Sequence, residues 1–114
     1  MVGYMKKALA EYETSGNFYR ICVAWKNIGE AEWYMGFRQN ALKFFRKAEE
    51  NIPKLIDSME RFGVFWNLAS AFRRMGDTKS ESKYLTKCLE NLPDSETDKI
   101  VMIETRLHQL DRFL

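Results

Sequence analysis

Apolar residues recur along this chain at intervals of three and four, the spacing that places them on one face of an α-helix. Tyr4, Met5, Ala8, Leu9 and Tyr12 form a first such stretch, which stops at Thr14-Ser15-Gly16-Asn17. Phe18, Ile21, Cys22, Trp25, Ile28 and Gly29 make a second, with Glu32 at its last position before Gly36. Phe37, Ala41, Leu42, Phe45 and Ala48 follow as far as Asn51-Ile52-Pro53. A longer stretch carries Leu55, Met59, Phe62, Phe65, Leu68, Ala69 and Phe72 to Gly76-Asp77. Tyr84, Leu85, Cys88, Leu89 and Leu92 run to Pro93, and Ile100, Ile103, Leu107, Leu110 and Leu114 close the chain as an apolar seam. The pattern predicts six helices and an all-α fold.

The breaks between stretches have chemical causes. Pro53 and Pro93 lack an amide donor and restrict the residue before them, so each is expected to terminate the preceding helix. Gly36 and Gly76 suit the left-handed conformation that reverses the chain between antiparallel helices. Thr78 with Glu81, and Ser95 with Asp98, have the spacing of a capping box at a helix start. Gly63 lies inside the fourth helix, where it is expected to kink it or to split off a leading turn at 54–61.

Composition agrees with this reading. Four valines, six isoleucines, five threonines and two prolines among 114 residues leave little material for strands and their turns. Sixteen aromatic residues supply a large core for so short a chain. A net charge of +2, from 18 basic and 16 acidic residues, is too even to indicate a nucleic-acid or membrane surface. Charges enter before any apolar run forms at the start, and the longest uncharged stretch, 63–72, is far short of a membrane span. A cytoplasmic protein without membrane contact is expected, and two cysteines fit a reduced compartment.

Laid over itself with a shift of 40 residues, the chain repeats. Trp25 falls on Phe65, Asn27 on Asn67, Ile28 on Leu68, Gly29 on Ala69, Gly36 on Gly76, Phe45 on Leu85, Ala48 on Cys88 and Pro53 on Pro93. A repeating helix pair implies stacked units within one domain. Trp25-Lys26-Asn27-Ile28-Gly29, with Gly36, Ala41, Phe45, Ala48 and Pro53, resembles one complete tetratricopeptide motif, and Phe65, Leu68, Ala69, Phe72, Gly76, Leu85, Cys88 and Pro93 resemble a second. The resemblance divides the chain into a leading helix at 2–14, repeats at 17–53 and 54–93, and a capping helix at 95–113. It departs from the usual 34-residue period, and the six extra residues, about 56–61, are expected to lengthen the first helix of the second repeat. Glu32 stands where the motif prefers an aromatic, and Glu81 where it prefers alanine. Gly29 and Ala41 are expected to face one another within a helix pair, letting the two backbones approach closely.

The resemblance implies a superhelical array with a concave groove lined by the first helix of each pair. It assigns Lys26, Asn27, Glu30, Trp33 and Tyr34, and by the same shift Trp66, Asn67, Ser70, Arg73 and Arg74, to a peptide-binding surface. Asn27 and Asn67 match the family's groove asparagines, whose amides can bond a ligand backbone, and Trp33 and Trp66 fit the preference for aromatic anchors. The carboxylate clamp of one branch of the family is not reproduced. Lys26 and Asn67 fit it, but Glu30 replaces an asparagine, and Ile103 and Leu107 occupy the places of two basic residues.

Catalysis is not expected. His108 is the one histidine, no phosphate-binding glycine loop occurs, and neither Cys22 nor Cys88 has a context that would activate it. No metal or cofactor site is expected either. The reading is a noncatalytic module that binds a protein or peptide partner. Two other readings stand beside it: homo-oligomerisation, a dimer, through the terminal seam ending in Phe113 and Leu114, and weak nucleic-acid binding through the basic pairs Arg73-Arg74 with Lys79 and Lys43 with Arg46-Lys47.

Overall fold

The computed structural model describes residues 2–112, with the side chains of all of them except Val2 and Tyr4. Phe113 and Leu114, the end of the predicted seam, lie outside the described residues. The described chain is all-α: α1 (Val2–Ser15), α2 (Phe18–Tyr34), α3 (Arg38–Asn51), α4 (Ser58–Met75), α5 (Thr78–Glu90) and α6 (Thr97–Leu110), with a single 3-10 turn at Ile52–Lys54. No helix among the described residues is long and apolar enough to cross a membrane. The chain divides into two compact units, one up to residue 56 and one from residue 57 onward.

The first unit holds α1, α2 and α3, with α2 packed along α3 and α1 against α2. Gly36 reverses the chain at φ 91°, and the amide of Phe37 donates to the carbonyl of Glu32 at 2.9 Å, closing the left-handed helix end that was expected. Gly29 is the point of closest approach. A Cβ placed on it would lie 2.8 Å from the Phe45 ring and 3.1 Å from the Ala41 carbonyl oxygen, so only hydrogen fits there. Trp25 stacks on Phe44 with ring centroids 5.6 Å apart, and the Lys47 ammonium caps the Trp25 face.

The second unit holds α4, α5 and α6, with α4 packed along α5 and α5 against α6. Gly76 reverses the chain at φ 78°, with the Asp77 amide on the Phe72 carbonyl at 3.0 Å. The shift of 40 extends to details beyond the apolar pattern. Phe65 stacks on Tyr84, the counterpart of Trp25 on Phe44. Asn51 and Asn91 both donate from the side-chain amide to the carbonyl four residues back, on Lys47 and Lys87. Asn17 and Asp57 are matching N-caps, accepting from the amides of Arg20 and Met59.

Three local expectations are corrected, and a fourth holds in part. Both capping boxes are absent. Asp77 caps α5 by accepting from the Ser80 amide at 3.0 Å, which leaves Thr78 as the first helical residue and frees Glu81 for another bond. Glu96 stands at the N-cap of α6 without a side-chain cap bond, its carboxylate taken by Lys99 at 2.9 Å, so Ser95 and Asp98 do not cap. Of the extra residues, about 56–61, those from 58 onward open α4, which at 18 residues is one longer than α2 at 17, and 56–57 belong to the connector at 52–57, matched in length by the connector 91–96 between α5 and α6. Gly63 does not break α4, which runs unbroken through it.

Candidate binding site

Three helices of the second unit converge on a pocket of about 190 Å³. Trp66, Ala69, Ser70 and Arg73 come from α4, at spacings of three and four that hold them on one helical face. Glu81 and Leu85 are one turn apart on α5, and Met102, Ile103 and Arg106 present the same spacing on α6. Ala69, Leu85 and Ile103 are buried and form an apolar floor, while Met102 and Arg73 are exposed at the rim.

The polar wall is an ion pair. Glu81 is almost wholly buried, and Arg106 meets it with two bonds, Nε to Oε2 at 2.7 Å and a terminal guanidinium nitrogen to Oε1 at 3.0 Å. A buried carboxylate requires such a partner, and the fork of a guanidinium matches both oxygens at once. Hydrogen bonding to Glu81 raises the Arg106 pKa further above its already high value. The pocket therefore presents an apolar floor, a neutralised wall, the Ser70 hydroxyl and, at its rim, the Arg73 guanidinium, which has no ion-pair partner among the described residues.

Of the ten residues expected at the groove, Trp66, Ser70 and Arg73 come together here. Asn67 is half-buried, and its side-chain amide donates to the Gly63 carbonyl at 2.8 Å within its own helix. Arg74 is exposed. The other five belong to the first unit. Lys26 and Glu30 join in a largely buried ion pair at 2.8 Å, Asn27 is exposed, Trp33 lies half-buried under the Arg38 guanidinium at 4.8 Å, and Tyr34 is exposed.

Leu85, Met102, Glu81 and Arg106 were not foreseen as site residues. The signal for Glu81 was present as a departure from the repeat, a carboxylate falling on Ala41, but its spacing from Thr78 imitates a cap. Arg106 falls on Trp66 at the same shift, which places it on the corresponding helical face.

The chain matches no family model, no curated protein and no solved structure. Among the described residues no three His, Cys, Asp or Glu side chains gather closely enough to hold a metal ion. His108 is exposed on α6. Burial pushes the thiol of Cys22 up to about 11 and that of Cys88 up to about 12, so both are uncharged at neutral pH and pack as small apolar groups.

Proposed function

We propose that this protein is a noncatalytic interaction module of the tetratricopeptide-like kind, which binds a peptide or helix of a partner protein. The observation that carries the reading is the pocket between α4, α5 and α6, where an apolar floor with one hydroxyl and one unpaired guanidinium at its rim suits an apolar anchor side chain and the polar backbone beside it. The mechanism is shape complementarity on a helical scaffold. Trp66, Leu85 and Met102 receive the anchor, Ser70 and Arg73 orient the segment that carries it, and the Glu81–Arg106 pair keeps the wall rigid and neutral. The repeat register, with its matching turns, caps and ring stacks one shift apart, supports the family resemblance on which the groove reading depends.

Affinity capture with quantitative recovery tests this. Ser70→Tyr, which fills the pocket mouth, and Arg73→Glu, which inverts the rim charge, are each expected to lose the partners recovered by the wild type. An Asn27→Ala/Asn67→Ala variant measures how far the binding surface extends along the repeat. Equal recovery of the same partners by folded Ser70→Tyr and Arg73→Glu variants refutes the pocket as the binding site.

A further inference from the structure

The hairpin end between α2 and α3 displays apolar side chains where a turn ordinarily displays polar ones. Tyr34 is 67% exposed, Met35 49% and Phe37 54%, with Leu42 at 37% one turn into α3. The matching turn of the second unit reads Arg73-Arg74-Met75-Gly76-Asp77, which shares only the methionine and the glycine, so the fold does not require aromatic residues at 34 and 37. Phe37 also occupies the N-cap of α3 and makes no side-chain cap bond, whereas Asp77 caps α5 from the corresponding position. A local rule of helix initiation is given up in exchange for an exposed aromatic ring, a pattern that marks functional surfaces.

Charge singles out the occupant. Residues 33–47 contain Arg38, Lys43, Arg46 and Lys47 and no acidic residue. Arg38, Lys43 and Arg46 are exposed, and none has an ion-pair partner among the described residues. A second copy of the chain docking patch to patch would set these cations against their own images, which opposes self-association through this surface. A nucleic-acid strand would use free ring faces. Here Trp33, the best stacking ring, is covered by Arg38, and two of the four exposed apolar side chains, Met35 and Leu42, are aliphatic.

We propose that this hairpin end docks on an anionic lipid surface. Met35, Phe37 and Leu42 enter the boundary between headgroups and acyl chains, Tyr34 sits at headgroup level, and Arg38, Lys43 and Arg46 meet anionic headgroups. Such docking is peripheral and requires no spanning helix.

Co-sedimentation with vesicles tests it, using phosphatidylcholine alone and phosphatidylcholine mixed with phosphatidylserine. The wild type is expected to bind the mixed vesicles, more weakly as salt is raised, and not the neutral ones. Replacing Arg38, Lys43 or Arg46 by Gln is expected to lower affinity about fivefold for each charge removed. Met35→Ser/Phe37→Ser, which keeps every charge, is expected to abolish binding, and Ser70→Tyr is expected to leave it unchanged. Thermal unfolding verifies that each variant is folded. Equal vesicle binding by wild type and Met35→Ser/Phe37→Ser overturns the proposal. So does binding to a single-stranded RNA oligonucleotide without vesicle binding, or a dimer in light scattering that Phe37→Ser dissolves.

Discussion

The helix pairs α2/α3 and α4/α5 share one register and differ in chemistry at four of its positions. Gly29 under Phe45 in the first becomes Ala69 with Leu85 in the second, so a methyl group is gained on one helix and ring volume is given up on the other. Ala41 becomes Glu81, which needs Arg106 from α6. Phe37, which caps nothing, becomes Asp77, which caps α5. The comparison teaches that the register fixes turns, ring stacks and combined size, while single positions within it are free to take a neighbour-dependent or surface role.

The largest test removes the neighbour that Glu81 depends on. Arg106→Leu leaves a buried carboxylate unpaired and is expected to lower stability by about 3 kcal/mol in chemical denaturation. Adding Glu81→Ala, the residue that the first pair already carries, should restore most of the loss. If the double variant is no more stable than Arg106→Leu alone, the two pairs are not equivalent at this position. The next test exchanges packing solutions. Gly29→Ala is expected to cost about 2 kcal/mol, because the new methyl meets a buried ring and a backbone oxygen. Combined with Phe45→Leu, the loss should fall short of the sum of the two single losses by more than about 0.5 kcal/mol. Strict additivity would separate the two packing solutions. The smallest effect is a gain. Phe37→Asp should stabilise the first unit by about 1 kcal/mol through the missing cap, and Asp77→Ala should cost the second about as much, both read from the unfolding midpoint. A Phe37→Asp variant no more stable than wild type would mean that the exposed ring already contributes to folding.

The helices were legible in the sequence because they depend on local periodicity and on glycine turns. Ile28, Phe45, Leu68 and Ile103 are buried as their spacing requires. The caps were not legible, since Asp77-Thr78 offers two adjacent candidates and Glu81 has the spacing of a backbone-bonding partner. Only the position of Arg106, 25 residues away in sequence, decides that Glu81 bonds across to α6. Leu55 reads as helical from its apolar spacing, yet it is a buried residue of the connector, extended just after the 3-10 turn. Of the residues lining the candidate pocket, Trp66, Ser70 and Arg73 stand at positions that the repeat projects, whereas Met102 and Arg106 lie on α6, outside the two projected repeats.

The bond between Glu81 and Arg106 also imposes an order of succession. Alanine at this position asks for no polar partner from the helix packed on it, whereas the buried Glu81 carboxylate needs a donor there, which Arg106 of α6 supplies. Cutting the chain after α5 would therefore strand a charge as well as bare an apolar face. In this chain α6 is selected by its predecessor as a lock selects a key.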